Sequence, residues 1–187
     1  MPPLPTLATP RLVLRPFHAS DAAEVQRLAG DREVSATTLR LPHPYPDGLA
    51  EAWIATHAED WRRGLAARFA ITRDGVLLGA IGLELTPEHD RGELGYWLGR
   101  AFWGQGYATE AARAVVRFGF ELLHLHRIQA HHFVRNPASG RVLLKAGLRS
   151  EGVRRGAFVK EGLAEDVVVY ARLSDDPPFT DDHEATL

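Results

Sequence analysis

Cysteine is absent from this 187-residue sequence. Its absence excludes disulfide bonds, thiolate zinc sites and a cysteine nucleophile. Long apolar runs are also missing, since no run approaches the roughly 20 residues that cross a bilayer. The proline-rich N-terminus lacks the basic and then apolar pattern of a signal peptide. We therefore expect a cytoplasmic protein with no membrane partner.

A strong excess of charge of either sign is lacking too, because 22 Lys and Arg residues face 24 Asp and Glu residues. Five of the acids lie after Leu173, in a stretch without Lys or Arg. The rest of the chain is therefore mildly basic, which suits an anionic small ligand. It has no concentrated basic stripe of the kind that nucleic-acid binding requires, so we expect no nucleic-acid partner.

The composition, with 45% hydrophobic and 25% charged residues, is that of a soluble globular domain. No segment repeats, and no low-complexity linker divides the chain. We expect one domain over residues 1–173 and a flexible acidic tail over residues 174–187. The sequence leaves open whether the protein is a monomer or a homodimer.

Hydrophobic periodicity and turn residues predict the order β-α-α-β-β-β-α-β-α-β-β. The predicted strands include residues 12–14, 67–72, 76–85, 91–99 and 127–134, and the predicted helices include 49–63, 108–123 and a short one from Asn136 to Gly147. The strands from 67 to 99 are separated only by turn residues, which is typical of an antiparallel meander. The pattern predicts an α/β protein with a mixed sheet.

Residues 103–108, with the sequence WGQGYA and called the glycine loop below, lie between a predicted strand and a predicted helix. Alternate small residues let a ligand approach the backbone, and the helix start adds unpaired N–H groups that attract an anion. The loop therefore favours a pyrophosphate site, although a glycine pair by itself also marks an ordinary turn. It lacks the P-loop lysine, and its place in the chain does not fit a dinucleotide-binding β-α-β unit.

Residues 93–111, ELGYWLGRAFWGQGYATEA, resemble the acetyl-CoA motif of the GNAT superfamily of N-acetyltransferases. Three further segments, residues 9–17, 136–152 and 165–173, resemble the branch that acetylates ribosomal-protein alanine and serine N-termini (RimJ/RimL-like). The resemblance spans nearly the whole domain. It implies a central, mostly antiparallel sheet that is splayed at the cofactor site and flanked by helices.

The resemblance also implies acetyl-CoA as cosubstrate and no metal. It assigns the pantetheine arm to the strand residues Tyr96, Trp97 and Leu98 and to Asn136 and Ser139. It assigns the pyrophosphate and the wall around it to Trp103, Gly104, Gln105, Gly106, Tyr107, Ala108 and Thr109, and the CoA phosphates to Arg141 and Lys145. From the residues alone, Asn136 could be only a helix cap, and Arg141 and Lys145 only a solvated helix face.

Amide formation also requires a neutral amine and a way to protonate the departing thiolate. Glu93, on the strand that enters the site, is the candidate base, directly or through a water. The alternatives are an exposed carboxylate paired with an arginine, or water alone as base. Ser139 is the candidate general acid.

The acceptor amine would meet the loop and the second helix that usually form a wall of the site in this fold. His43, Tyr45 and Trp53 lie there and, with Glu93, are the candidate substrate-binding residues. They could equally be packing residues. The four histidines between 124 and 132 show no metal geometry and are interpreted as structural or surface residues, or one of them as a substrate contact.

Together these observations predict an acetyl-CoA-dependent N-acetyltransferase in which the amine attacks the thioester directly. The favoured acceptor is a protein N-terminal α-amine, because such an amine is partly neutral near pH 7.5. The alternatives are a small-molecule amine (an amino acid, a polyamine or an antibiotic) and a non-catalytic acyl-CoA sensor.

Overall fold

The protein is described here by a computed structural model, which covers residues 2–177. The strands are β1 (Leu7–Ala8), β2 (Val13–Arg15), β3 (Ala66–Arg73), β4 (Val76–Thr86), β5 (Arg91–Leu98), β6 (Arg127–Phe133), β7 (Arg149–Lys160) and β8 (Leu163–Leu173). The helices are α1 (Ala22–Ala29), α2 (Arg32–Ala36), α3 (Leu49–Arg62), α4 (Tyr107–Glu121) and α5 (Pro137–Lys145). Residues 178–187, which hold most of the predicted flexible tail, lie outside the described residues.

All eight strands form one sheet in the order β1-β2-β3-β4-β5-β6-β8-β7. Every neighbouring pair is antiparallel except β5 and β6, which are parallel. The predicted meander from β3 to β5 and the mixed, mostly antiparallel sheet are both confirmed.

The parallel contact between β5 and β6 is short. It consists of three residue pairs, from Arg91 with Arg127 to Glu93 with Gln129. Beyond Glu93 the two strands diverge, so that the remainder of β5 keeps β4 as its neighbour on one side and pairs with no strand of residues 2–177 on the other. The predicted splay of the sheet is confirmed, and it lies at the residues expected to hold the pantetheine arm.

Two elements of the structure were missed by the sequence analysis. Strand β1 has two residues and helix α2 has five, so neither is long enough to show a hydrophobic period. The start of α2 does carry a local signal, because the side chain of Asp31 accepts a hydrogen bond from the N–H of Glu33 at 2.7 Å. The predicted helix 108–123 was also slightly too long, since α4 ends at Glu121 and the next residue, Leu122, is 60% exposed.

Helices cover both faces of the sheet. On one face, α1 and α3 pack against the sheet through residues such as Val25 and Ile54. On the other, α4 and α5 pack through Val115 and Leu143 onto a core around the fully buried Phe69. This arrangement places the glycine loop and α5 on the same side of the diverging strands. No helix among residues 2–177 is long and apolar enough to cross a membrane.

One buried side chain makes stability depend on pH. The ring of His57 lies 5.2 Å from the ring of Phe17 and 4.4 Å from that of Trp53, measured between centroids. Neither of its nitrogens has a hydrogen-bond partner among the described residues. Burial, aided by the nearby charge of Arg68, lowers the pKa of His57 to about 4.

We predict that His57→Phe makes the melting temperature less sensitive to acid. An unfolded histidine titrates near pH 6.5. Between about pH 6.5 and 4 the unfolded chain therefore binds a proton at His57 that the folded chain does not, and stability falls as the pH falls. The phenylalanine variant lacks this linkage. Melting temperatures measured from pH 7 to pH 4 test this prediction. An equal fall of the melting temperature in the wild type and the variant would contradict it.

Candidate active site

Two cavities meet where β5 and β6 diverge. The first, of about 430 Å³, is lined mainly by residues of β3 to β6 and by segment 37–41, and we call it the strand cavity. The second, of about 460 Å³, is lined by the glycine loop and the starts of α4 and α5, and we call it the glycine-loop cavity. Both share Thr37, Thr38, Tyr96, Trp97 and Ser139 in their walls. A ligand in one cavity can therefore contact a ligand in the other cavity at this junction.

The glycine loop adopts a conformation suited to holding an anion. Gly104 and Gly106 have φ of 74° and 80°, a region that residues with a side chain rarely adopt. Gly106 is the N-cap of α4, so the next three N–H groups have no acceptor within the helix. A Cβ at Gly104 would have no neighbour within 4 Å, and Gly104 lines the glycine-loop cavity. These features fit the pyrophosphate of CoA.

Arg11 supports the loop from outside, and the sequence analysis did not identify it. Its side chain donates to the carbonyl oxygen of Gln105 at 3.0 Å and to the carboxylate of Glu110 at 2.6 Å. Its guanidinium also lies 4.8 Å from the ring centre of the buried Tyr107. The only sequence signal was its place in the N-terminal segment that resembles the family, because the contact joins residues about a hundred positions apart.

Most of the predicted cofactor residues line the glycine-loop cavity. They are Tyr96, Trp97, Leu98, Trp103, Gly104, Gly106, Tyr107, Ala108, Thr109, Asn136, Ser139, Arg141 and Lys145. Gln105 does not line it, since its side chain instead donates to the carbonyl of Ala101 at 3.0 Å. Arg141 and Lys145 are exposed at the cavity edge, where both a phosphate contact and a solvated face remain compatible with the geometry.

The free edge of β5 presents backbone groups to the junction. The N–H of Gly99 donates to the carbonyl oxygen of Leu78 on β4 at 2.9 Å, and successive residues of a strand turn their backbone groups to opposite sides. Leu98 therefore turns its own N–H away from β4 and toward the gap. Its carbonyl accepts from the indole N–H of Trp103 at 2.7 Å, which links the strand to the glycine loop.

At the start of α5, the side chain of Asn136 caps the helix by accepting from the N–H of Ser139 at 3.4 Å. The hydroxyl of Ser139 lies 2.7 Å from the phenol oxygen of Tyr96. Burial raises the pKa of Tyr96, so its phenol stays protonated at neutral pH. The pair thus offers an exchangeable proton in the wall that the two cavities share.

Glu93 lies in the wall of the strand cavity with both carboxylate oxygens engaged. One oxygen is 3.2 Å from Nδ1 of His131, and the other accepts from the side-chain amide of Gln129 at 3.2 Å. The hydrogen bond with His131 is the largest influence and outweighs burial, so the pKa of Glu93 lies below its ordinary value. Glu93 is therefore ionised at neutral pH and is a weak base.

Of the predicted acceptor residues, the structure brings Trp53 and Glu93 to the strand cavity but not the other two. His43 is exposed, and its Nδ1 lies 3.1 Å from the carbonyl oxygen of Gly30. Tyr45 packs against the cluster around α1 and α3, where burial raises its pKa. Both belong to the loop before α3, whose direction depends on tertiary contacts that periodicity does not show.

The strand cavity also contains Arg68 and Phe158, which the sequence did not single out, and His131, one of the four histidines that it interpreted as structural, surface or substrate-contact residues. Arg68 binds Asp60 at 2.5 Å and Glu84 at 3.0 Å, which neutralises much of the charge on this wall. His131 and Phe158 stack with ring centres 4.8 Å apart. These side chains come from four strands and from α3, so only the tertiary structure brings them together. Among the described residues no group of three or more His, Asp or Glu side chains is placed to hold a metal.

Segment 37–41 closes the junction from the side of α2. Lys160, on β7, donates from Nζ to the carbonyl of Leu41 at 2.6 Å, and Arg135 donates to the carbonyl of Ala36 at 2.7 Å. Arg135 is held in turn by Glu165 at 2.8 Å. The β7–β8 pair therefore holds a wall of both cavities in place.

Comparison with known proteins agrees with this geometry. Residues 11–149 match the family described as "Acetyltransferase (GNAT) domain". The chain belongs to the GNAT acetyltransferase family. It is 35% identical over 170 residues to the uncharacterized N-acetyltransferase YoaA of Bacillus subtilis, a match that covers 89% of this chain and 96% of YoaA.

The ribosomal branch of the GNAT family is represented among the relatives. The ribosomal-protein-serine acetyltransferase of Escherichia coli is 32% identical over 115 residues, which is 61% of this chain and 64% of that protein. The solved structure of RimL, a ribosomal L7/L12 alpha-N-protein acetyltransferase in complex with coenzyme A, has a TM-score of 0.84 at 20% identity and covers 90% of this chain and 98% of its own. At that identity the likeness shows the fold. The predicted family, fold and enzyme class are confirmed.

We predict that Gly104→Ala weakens acetyl-CoA binding at least about tenfold, or about 1.4 kcal/mol. The added methyl would occupy open space in the glycine-loop cavity. Gly48→Ala is a matched control, because Gly48 has φ of 78°, no neighbour within 4 Å of its Cβ and no place in either cavity. Both variants bear a similar backbone strain, of about 1–2 kcal/mol. Titration calorimetry measures the affinities, and equal affinities in the two folded variants would refute the assignment.

Proposed function

We propose that the protein transfers the acetyl group of acetyl-CoA to the N-terminal α-amine of a protein, in the cytoplasm. The observation that carries the proposal is the junction of the two cavities at Tyr96, Trp97 and Ser139. Acetyl-CoA bound along the free edge of β5 would place its thioester there, and an amine in the strand cavity would approach it from the other side.

The strand cavity favours an N-terminal amine over a polycation. Its wall includes the carboxylates of Glu84 and Glu93, but Glu84 is bound to Arg68 and Glu93 to His131 and Gln129. Polycation binding calls for unpaired carboxylates, and this wall supplies none among the residues that line it. An α-amine with a pKa of about 7.7–8.0 needs only modest help to lose its proton. Relatives named for acetylation of ribosomal proteins support the same acceptor class.

The chain contributes to the reaction by orienting the amine and the thioester and by supplying a proton to the departing sulfur. The amine nitrogen attacks the thioester carbonyl carbon, a C–N bond forms, and the C–S bond then breaks with its electron pair moving to sulfur. The N–H of Leu98, turned toward the gap, would stabilise the charge on the carbonyl oxygen. The hydroxyls of Ser139 and Tyr96 would donate toward the departing sulfur. Glu93, the base predicted from the sequence, lies in the wall of the strand cavity, but both of its oxygens are hydrogen-bonded and its pKa lies below the ordinary value.

We predict that peptides are better acceptors than small amines. The protein is incubated with acetyl-CoA and either short peptides that begin with Ser, Ala or Thr, or a panel of amino acids, polyamines and aminoglycosides. Mass spectrometry identifies the products, and release of free CoA gives kcat/KM. We expect the best peptide to exceed every small amine by at least about tenfold.

The other outcomes separate the competing functions. A small amine with kcat/KM at least about tenfold above every peptide would replace the N-terminal acceptor with a small-molecule one. Acetyl-CoA binding without transfer to any member of either panel would indicate a sensor that retains the fold and lacks the chemistry.

We also predict that Ser139 and Tyr96 act together on the leaving group. Ser139→Ala and Tyr96→Phe should each lower kcat by about tenfold, and the double variant should lose less than the product of the two, because the hydroxyls are bonded to each other. A double-mutant cycle on kcat tests this. Ser150→Ala, at an exposed position of β7, is the control. Fully additive losses would contradict a shared role.

A further inference from the structure

The imidazole of His131 lies directly beside Glu93, the base suggested by the sequence. Register places Glu93 on β5 opposite Gln129 on β6, and His131 follows two residues later on the same face. The distance from Nδ1 of His131 to the carboxylate of Glu93 is 3.2 Å. Gln129 donates to the second oxygen, so the carboxylate cannot turn away without losing one of the two bonds.

A face of the His131 ring is also in contact with another side chain. It stacks on Phe158 of β7 with an interplanar angle of 28° and a centroid separation of 4.8 Å. Both rings belong to the wall of the strand cavity, and the side chain of His131 keeps 23% of its surface exposed. The ring is therefore oriented by two contacts while part of its surface stays exposed in the cavity wall.

Its tautomer follows from these contacts. An ionised carboxylate only accepts hydrogen bonds, so Nδ1 of His131 must carry the hydrogen that it shares with Glu93. In a neutral imidazole the other nitrogen, Nε2, is then an unprotonated acceptor. A carboxylate that orients a histidine in this way is a recurring arrangement for proton transfer.

We propose that Nε2 of His131 takes the proton from the acceptor amine, and that Glu93 is a positioning residue that holds the imidazole. The inference rests on the proposed function, since it needs an amine in the strand cavity. It differs from the role that the sequence suggested for Glu93. The low pKa of that carboxylate agrees with a partner that stays ionised throughout.

The proton balance is complete without any additional reagent. An acceptor ammonium gives one proton to Nε2, and the resulting imidazolium is stabilised by the carboxylate of Glu93 and releases the proton to solvent. The neutral amine then attacks, its C–N bond forms as the C–S bond breaks, and its second proton passes to the thiolate through the hydroxyl pair of Ser139 and Tyr96.

Charged groups around the imidazole come from several elements. Glu93 faces it from β5, and Arg40 in segment 37–41 lies close enough to Glu93 to lower its pKa. Across the strand cavity, Arg68 and Glu84 form an ion pair at 3.0 Å. On β7, Lys160 binds the carbonyl of Leu41. Glu93 is therefore the only carboxylate within ion-pair distance of His131 among the described residues.

His131→Asn isolates the function of Nε2. The asparagine amide can still donate to Glu93, but nothing replaces Nε2. We expect kcat/KM for the best acceptor to fall at least about tenfold at pH 7, with loss of the low-pH limb of the rate profile and with unchanged acetyl-CoA affinity by calorimetry. His126→Asn, at an exposed histidine outside both cavities, should behave as the wild type. A His131→Asn profile identical to the wild type would overturn the proposal.

Glu93→Gln separates the two candidate bases. If His131 accepts the proton, the low-pH limb persists in Glu93→Gln, because the imidazole is still present. If Glu93 accepts the proton, the limb disappears in Glu93→Gln and persists in His131→Asn, which would overturn the proposal. Both outcomes require a wild type that acetylates an amine, so a failure of the proposed function itself appears first, as no turnover of any acceptor.

A measurement on the unmodified protein needs no turnover. The ¹⁵N chemical shifts of the His131 ring report which nitrogen carries the hydrogen. We expect the Nδ1–H form, with Nε2 unprotonated, in the wild type above neutral pH. A ring that carries its hydrogen on Nε2 could not accept a proton there, and that result would overturn the proposal independently of any variant.

Discussion

Strands β5 and β6 share hydrogen bonds over three residue pairs and then diverge, and the rest of the site depends on this divergence. A strand that loses its neighbour exposes backbone N–H and C=O groups, which are costly to leave unpaired unless a ligand or water meets them. Here the edge from Leu94 to Leu98 faces a gap that continues into both cavities. One irregularity of the sheet thus creates a binding edge and a passage from one face to the other.

The elements around the gap are held by contacts between distant parts of the chain. Arg11 joins the N-terminal segment to the glycine loop, Lys160 joins β7 to Leu41 of segment 37–41, and Arg135, which follows β6, donates to Ala36 at the end of α2. These bonds combine a charged donor with a carbonyl oxygen, a stronger type of hydrogen bond than a neutral pair. They keep the walls of both cavities in one arrangement before any ligand binds, which lowers the ordering cost of binding.

The two cavities are lined by different kinds of groups. The glycine-loop cavity is bordered by backbone N–H groups of the glycine loop and of α4, which depend on conformation more than on side-chain identity. The strand cavity is lined by side chains that come from separate elements, among them Glu93, His131, Arg68 and Trp53. A sequence motif identifies the residues of the glycine-loop cavity well, because most of them are contiguous. It identifies the residues of the strand cavity poorly, because they come from separate elements.

The sequence by itself determined the elements and the cofactor loop. Turn residues between the strand segments predicted the β3–β5 meander, Asn136 predicted the start of α5, and the glycines at 104 and 106 predicted a loop whose backbone a ligand can approach closely. Each of these depends on neighbours within a few positions. The short elements β1 and α2 were not predicted, because they contain too few residues to show a hydrophobic period.

Only the tertiary structure decided how the acceptor side is assembled. It placed Trp53 in the cavity wall and turned His43 and Tyr45 elsewhere, and it set His131 against Glu93 across the parallel pair. The register between β5 and β6 brings together residues that are 38 positions apart in the chain. No local propensity encodes such a distance, because register arises from the packing of the whole sheet against its helices.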